Sequence, residues 1–459
     1  MITTLKYYIN IMFKKTFLFL FFLLFITMLR VNSQDKILPY PILQHKLANG
    51  LNIVVVPFDS PGIAAFHIIV RAGSRNEVEE GVTGFAHFFE HMMFRGTDKY
   101  PKDKYEAVLK SIGASANANT SLDRTIFHML GDAGKLELMF EIESDRFMNL
   151  NYAEHDFKVE AGAVKGEYTK NFADPLEQLD ESVRNVAFDK HTYKHTTMGF
   201  FKDIVDMPNQ YQYSLKFYKR FYRPEYCTVV VVGDVTQEKV NALAEKYFGK
   251  WEKGNYTADI SAEPEQKETR YTHIKNADTP PFLSLNFKGP AFNDKIIDVP
   301  ALYIISSVYF SNKSELYKKL VLTEKKIRSL MFFPADNRDP DLIFMGGSLK
   351  NKDDMQYIKD EIMNTLEKIK TVPIDEKMLS NAKSNIKNSF TMRIDNPGAI
   401  ASTLTGYLAL SEDPEAVNNY YAMFDKITAD DIMSVAKKYF LETGLTVGTV
   451  SPDDNPNLK

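Results

Sequence analysis

Hydrophobic positions in the first half of the chain change repeatedly between the period of a strand and that of a helix. Short β-branched runs predict strands, and apolar residues three or four apart predict helices. The predicted strands are residues 51–56, 63–71, 117–130 and 227–232. The predicted helices are residues 83–94, 105–112 and 157–170, and helical periodicity continues to about residue 222. This half is therefore predicted to combine a sheet with helices.

The order of elements repeats after a polar stretch over residues 252–270, which we interpret as a linker. Residues 282–287, 301–310, 378–393 and 445–450 correspond in order to 66–70, 83–94, 157–170 and 227–232. An Asp-Pro pair follows each long helix, at Asp174-Pro175 and at Asp413-Pro414. Two copies of one unit account for 459 residues. We predict domains over residues 34–251 and 271–459, and the helix at 301–310 has no His or Glu.

The first 33 residues differ from the rest of the chain. Lys14 and Lys15 precede an uncharged run over residues 16–29, which is shorter than the roughly 20 residues that span a bilayer. Val31-Asn32-Ser33 follows, a pattern typical of a secretory signal peptide. We predict cleavage after Ser33, a periplasmic or secreted protein, and no stable membrane insertion after cleavage. An uncleaved anchor is the alternative.

Charge and cysteine content exclude several classes of protein. Without residues 1–33 the net charge is −8, because four of the 56 basic residues and none of the 60 acidic residues are lost. A moderately acidic protein binds nucleic acid poorly, so we expect no nucleic-acid partner. Cys227 is the only cysteine, and we predict that it is a buried strand residue rather than a nucleophile.

The motif His87-Phe88-Phe89-Glu90-His91 has the residues of a zinc site. Histidines four apart lie on one face of a helix, where two imidazoles can reach one ion. Glu90 lies at the edge of that face, where a carboxylate can take a proton from a water whose pKa zinc lowers to about 7. The alternative is two hydrogen-bonded helix histidines beside an exposed glutamate.

A catalytic zinc usually has three protein ligands, so a third residue is needed. Glu160 and Glu167 are seven apart in the helix over 157–170 and lie on one face. Small residues between them, such as Ala161 and Gly162, would let this helix approach another closely. We predict Glu167 as the third ligand and Glu160 as the carboxylate that orients a ligand histidine. Two solvated glutamates are the alternative.

The same residues resemble the zinc signature of the pitrilysin family, which includes insulin-degrading enzyme and the mitochondrial processing peptidase. The resemblance is carried by Gly73-Ser-Arg75, Glu77, Gly84 to Phe94 and Gly96-Thr97, then by the two glutamates. It implies one Zn²⁺ per chain, bound by His87, His91 and Glu167, with Glu90 as general base. It also implies an α+β fold of two homologous domains, each a twisted, mostly antiparallel sheet flanked by helices.

The family docks substrates along a strand that falls on Asn117, Ala118, Asn119 and Thr120, and a peptide backbone would pair with this strand. An ordinary edge strand is the alternative. We therefore expect an exported zinc endopeptidase that acts on unstructured peptides. A non-catalytic scaffold subunit of the same family and a peptide-binding module without turnover are the competing hypotheses.

The resemblance also predicts a partner. Chains of this length in the family usually act as dimers, and the second half of a pair commonly supplies an Arg and, seven residues later, a Tyr. The matching region, residues 316–329, has Val321 and Arg328 at these places. We predict a heterodimer with a relative that carries the pair. A homodimer is possible if Tyr317, Lys318 or Lys319 takes over this role.

Overall fold

A computed structural model describes residues 36–454, 456 and 458. The signal peptide predicted over residues 1–33 lies outside the described residues. Tyr40–Lys459 forms one compact unit, and in the preceding unit, Met1–Pro39, the described residues 36–39 have no helix or strand. Among the described helices, none is both long enough and apolar enough to cross a membrane.

Eleven strands build two sheets among the described residues. The strands are β1 (Leu43–Lys46), β2 (Asn52–Pro57), β3 (Ile63–Val70), β4 (Ser115–Thr120), β5 (Thr125–Asp132), β6 (Cys227–Gly233), β7 (Arg270–Lys275), β8 (Phe282–Lys288), β9 (Met331–Phe333), β10 (Leu342–Ser348) and β11 (Leu445–Ser451). The predicted linker falls between the two sheets: residues 252–269 have no helix or strand. The exact domain boundaries stay a prediction.

Helices surround both sheets. They are α1 (Phe85–Met92), α2 (Lys102–Ser111), α3 (Leu136–Asn149), α4 (Glu154–Asn171), α5 (Pro175–Ala187), α6 (Phe201–Asp206), α7 (Tyr211–Phe221), α8 (Gln237–Phe248), α9 (Asp298–Ile305), α10 (Met355–Thr371), α11 (Glu376–Thr391), α12 (Pro397–Ser411), α13 (Ala416–Lys426) and α14 (Ala429–Tyr439). A short helical segment, Glu315–Tyr317, continues as a π-helix over Lys318–Thr323.

The two sheets have the same topology. The first has the strand order β1-β2-β6-β3-β5-β4, and the second has the order β7-β11-β8-β10-β9. Apart from the additional β1, each strand has a counterpart at the same place in the other sheet. Each sheet has one parallel pair, β2 with β6 and β7 with β11, and its other pairs are antiparallel. The predicted fold of two similar, mostly antiparallel units is confirmed.

Each half contributes a helix to the sheet of the other half. α5 packs on β7 and β11, and α12 packs on β3 and β6. Gly448 in β11 permits this approach, because a Cβ there would lie 2.5 Å from Val183 Cγ2. Both helices begin with an Asx N-cap followed by Pro, at Asp174-Pro175 and Asn396-Pro397. The two halves therefore share their packing surfaces within one unit.

Three sequence predictions are corrected. The strand predicted over residues 117–130 is a hairpin of β4 and β5, because Ser121 N donates to Arg124 O and turns the chain. The counterpart of Asp174-Pro175 is Asn396-Pro397, since Asp413 follows α12 rather than α11. The predicted helix over 301–310 begins at Asp298 and becomes a π-helix over Ser306–Phe310. Cys227 is buried in β6, as predicted.

Candidate metal centre

Helix α1 carries the motif and is held by its apolar face. Phe85, Phe88, Phe89 and Met92 are fully buried in the core of the first half. Phe89 stacks on Phe217 at a ring-centroid distance of 5.3 Å. Because these positions recur every three or four residues, the intervening His87, Glu90 and His91 face away from the core. Core packing thus fixes the face from which the polar side chains project.

Three of the predicted site residues come together. One ligand atom each from His87, His91 and Glu167 lies within 4.8 Å of the other two. Glu167 Oε2 is 3.3 Å from His91 Nε2 and 3.9 Å from His87 Nε2. A tetrahedral zinc with bonds near 2.1 Å separates its ligand atoms by roughly 3.4 Å. Two imidazoles and one carboxylate at these separations therefore fit a zinc ion.

Glu160 lies behind His91, at the position that the sequence predicts for an orienting carboxylate. Its Oε1 is 3.0 Å from His91 Nδ1, and Arg95 pairs with Oε2. If His91 Nδ1 carries the ring proton, its N–H donates a hydrogen bond to Glu160. The Nε2 lone pair then faces Glu167 and is free to bind a metal. The hydrogen bond to Glu160 raises the pKa of His91, whereas burial lowers the pKa of His87.

Glu90 lies between the histidines and the edge of the sheet. Its Oε2 accepts a hydrogen bond of 2.6 Å from Thr120 Oγ1 on β4. Its negative charge favours the protonated form of both rings: it adds to the raised pKa of His91 and partly opposes the burial that lowers the pKa of His87. The carboxylate is therefore held between the candidate ligands and the strand that is predicted to dock peptides.

The predicted docking residues lie on an open edge. β4 is the last strand of its sheet and pairs only with β5 in the described part of the chain. Asn117 and Asn119 are exposed, whereas Ala118 is buried. Thr120 points toward Glu90, and Asn119 points away, where its Oδ1 accepts a hydrogen bond from Arg124. The outer edge of β4 is free of strand pairing in the described chain, but the Ala118 N–H donates to Asn117 Oδ1, a bond that an incoming strand would have to replace.

Comparison with known proteins places the chain in a family. Residues 54–200 match the family model described as Insulinase (Peptidase family M16). Residues 210–386 match the model described as Peptidase M16 inactive domain. The chain belongs to the M16 peptidase family. The M16 signature region, residues 73–97, lies within the first match, and the second match covers much of the half that has no counterpart of the His motif.

Relatives match along most of the M16 chain. The zinc protease PqqE of Helicobacter pylori is 28% identical over 415 residues, with 88% of this chain and 92% of the relative covered. A probable mitochondrial-processing peptidase subunit beta of Arabidopsis thaliana is 22% identical, with 88% and 77% covered. The crystal structure of a protease from Helicobacter pylori superposes with a TM-score of 0.83 at 27% identity, with 90% of this chain and 100% of that chain covered.

Several residues that support the M16 site are missed or unassigned by sequence reasoning. Glu77 is buried and accepts hydrogen bonds from the backbone N–H groups of Gly84 and Ala86, both 2.7 Å long, at the start of α1. The sequence analysis names Glu77 as part of the family signature but assigns it no role. Arg95 follows His91 by four residues, a spacing that could have suggested a shared partner. The bond from Thr120 to Glu90 depends on tertiary structure.

One argument for Glu167 is wrong in detail. Ala161 is buried, but the neighbouring Gly162 is exposed and a Cβ there would meet nothing within 4 Å. The close approach of α4 to α1 therefore depends on one face of the helix and not on the whole run of small residues.

Proposed function

We propose that this chain is an exported zinc metalloendopeptidase that hydrolyses unstructured peptides. The observation that carries the proposal is the convergence of His87, His91 and Glu167 beside Glu90, which Thr120 ties to an open strand edge. Membership of the M16 family and the similarity to PqqE of Helicobacter pylori, a zinc protease, support a peptidase that uses zinc.

His87, His91 and Glu167 would hold the ion, and Glu160 would fix the ring of His91. When bound, zinc would act as a Lewis acid that lowers the pKa of its bound water to about 7 and polarises the carbonyl group of the substrate. Glu90 Oε1 takes a proton from the attacking water and passes it to the leaving amine nitrogen. Thr120 Oγ1 holds the other carboxylate oxygen, so Glu90 keeps its direction during both transfers.

The form of β4 supports a preference for unstructured peptides. A peptide in extended conformation can pair with the free edge of residues 117–120 by backbone hydrogen bonds. Because these bonds use the backbone of the peptide, a folded protein whose backbone groups are already paired could not make them. The peptide bond nearest Thr120 would lie next to Glu90.

Glu90→Gln tests the catalytic role. The amide keeps the size of the side chain but cannot accept a proton, so hydrolysis should be lost while zinc stays bound. Glu154→Gln is the control, because Glu154 lies at the exposed start of α4 and pairs only with Lys158 among the ion pairs of the described chain. Loss of zinc together with activity would show that Glu90 has a different role.

A non-catalytic subunit of the same family is the second candidate. The match of residues 210–386 to an M16 inactive domain is the observation in its favour. Zinc content after purification separates the two, since a scaffold does not need the metal. One zinc per chain, lost in His87→Asn, supports the peptidase.

We also propose that the active form is a heterodimer whose other subunit supplies an Arg/Tyr pair. Of the three substitutes in this chain, Lys318 pairs with Glu315 and Lys319 pairs with Glu361, so each ammonium would have to leave an exposed ion pair to reach an oxyanion, and Tyr317 is the third candidate. Losing one such donor can lower the rate by about 10²–10³. Full turnover by the isolated chain, unchanged by an M16 relative that carries the pair, would refute this; a large increase supports it.

Export is the remaining part of the proposal, and it depends on the pattern of residues 1–33. Mass spectrometry of the exported protein should find Gln34, or a residue close to it, at the N-terminus. A retained 1–33 segment would favour the anchored form.

A further inference from the structure

A cavity of about 410 Å³ adjoins the end of β4. The loop between β4 and β5 contributes Ser121, Asp123 and Arg124 to its wall. The second half contributes a group of tyrosines from α9, α12 and α13, namely Tyr303, Tyr407, Tyr420 and Tyr421. We call this space the tyrosine cavity. Both halves of the chain line it, and none of the predicted site residues does.

The wall of the tyrosine cavity is continuous with the candidate docking strand. Ser121 directly follows Thr120, whose hydroxyl binds Glu90. Arg124 lines the cavity and donates a hydrogen bond of 2.6 Å from its Nη1 to Asn119 Oδ1. An extended peptide along β4 that continues past Glu90 would therefore reach this loop. The side chains of this peptide alternate between the two faces of the sheet. Those on the face from which Asn119 projects would point toward the cavity.

Rings rather than charge dominate the chemistry of the cavity. The ring of Tyr420 is 5.5 Å from that of Tyr407 and 6.4 Å, edge-on, from that of Tyr303. Two guanidinium groups, of Arg124 and Arg393, and two carboxylates, of Asp123 and Asp336, leave the lining without net charge. An aromatic ring can add further edge-to-face contacts to this group, whereas a charged side chain finds no excess of opposite charge.

The acidic groups are also engaged by the protein itself. Asp123 accepts hydrogen bonds from Tyr193 Oη and from the backbone N–H of Arg338. Asp336 Oδ2 accepts one of 3.0 Å from Tyr303 Oη. A cationic side chain would compete with these bonds and would face Arg124 and Arg393.

We propose that the tyrosine cavity is a subsite that binds an aromatic side chain of a peptide docked on β4. This rests on the proposed function, because it takes β4 as the docking strand. It makes the preferred substrates unstructured peptides with Phe, Tyr or Trp at a fixed distance from the cleaved bond. A bound ring tightens peptide binding about tenfold, equivalent to about 1.4 kcal/mol.

Gly406 allows a direct test. It lies in α12 and lines the cavity, and a Cβ at this position would meet nothing within 4 Å. Gly406→Leu should therefore place an apolar side chain inside the cavity and compete with a bound ring, and Gly406→Ala is the matched control. Tyr407→Leu removes one ring at similar bulk and decides the question if Gly406→Leu does not fold.

The assay measures fluorescence anisotropy of labelled Ala/Ser decapeptides on the zinc-loaded, full-length chain carrying Glu90→Gln, which prevents cleavage. In each peptide of the series a single Phe, Lys or Glu replaces one residue, and the position of this replacement differs from peptide to peptide. We expect Phe at one position to tighten binding about tenfold over Ala, with Lys and Glu weaker than Phe. Gly406→Ala should keep this ratio, and Gly406→Leu and Tyr407→Leu should bring it near one without changing the affinity of the Ala peptide.

An unchanged ratio in folded Gly406→Leu, a preference for Lys or Glu, or no peptide binding would overturn the subsite. Hydrolysis by the unsubstituted chain is measured separately. Cleavage without aromatic preference contradicts only the subsite. Aromatic preference without cleavage, with the candidate partner present, contradicts only the proposed catalysis.

Discussion

Substitution of the two glutamates of α4 separates a ligand from its support. Glu160 binds His91 Nδ1 through one oxygen and Arg95 through the other. In Glu160→Gln the amide oxygen can still accept from His91, but the NH₂ group then faces the guanidinium of Arg95. The expected loss is about 10–100-fold in zinc affinity, the range for partners that orient a ligand histidine.

Glu167→Gln acts on the ion directly. It removes the one anionic group among the three candidate ligands and leaves two imidazoles, fewer than a catalytic zinc usually has. We expect its loss of affinity to exceed that of Glu160→Gln by at least about tenfold, or about 1.4 kcal/mol.

Competition between each variant and a chromogenic zinc chelator measures both affinities at one pH. Glu154→Gln, on the same helix, should bind zinc like the unsubstituted chain. Equal affinities of the two variants, or a larger loss in Glu160→Gln, would refute the assignment of ligand and support. A thermal melt of the zinc-free proteins checks that neither loss reflects unfolding.

Three further predictions concern stability. Glu77→Ala should lower the free energy of unfolding, measured with urea, by about 2–6 kcal/mol. Two buried N–H groups at the start of α1 lose their acceptor, and each loss costs about 1–3 kcal/mol. A change below about 1 kcal/mol would contradict this. Gly84→Ala should destabilise the chain, since Gly84 has φ 88° and no space for a Cβ, whereas Gly162→Ala should stabilise it by about 0.5–1 kcal/mol. Burial lowers the pKa of His67 to about 3 and that of His195 to about 4. The unfolded chain therefore binds protons first as the pH falls below about 6.5, and the zinc-free protein should lose up to about 1.4 kcal/mol per pH unit for each histidine down to pH 4. His195→Asn should reduce that slope, and an identical slope would contradict the reasoning.

The sequence was most informative where one element carries the signal. The period of α1 places His87 and His91 on one face without any tertiary information, and the seven-residue spacing does the same for Glu160 and Glu167. The repeated order of strands predicted two similar halves, which the matching sheets confirm. Hydrophobic pattern was sufficient there because the helices bury one face and the central strands β6 and β11 are continuous buried runs.

Two kinds of feature could not be predicted in this way. One is a turn without the usual residues: the hairpin of β4 and β5 is predicted as one strand, because the loop of Ser121 to Arg124 has no Gly or Pro to mark the turn. The other is a contact between distant segments. The hydrogen bond from Thr120 to Glu90 joins residues 30 apart, and the tyrosine cavity joins residues nearly 300 apart. Such distances in sequence leave no periodic signal, and only the packed structure reveals them.

Hydrolysis measured during zinc titration tests the central claim most directly. The chain is freed of metal with a chelator, mixed with its candidate M16 partner, and assayed on an unstructured fluorogenic peptide while zinc is added stepwise. Activity should rise in proportion to zinc, reach its plateau at one zinc per chain, and stay absent in Glu90→Gln at every step. Hydrolysis that is independent of zinc, or that persists in Glu90→Gln, would contradict the account.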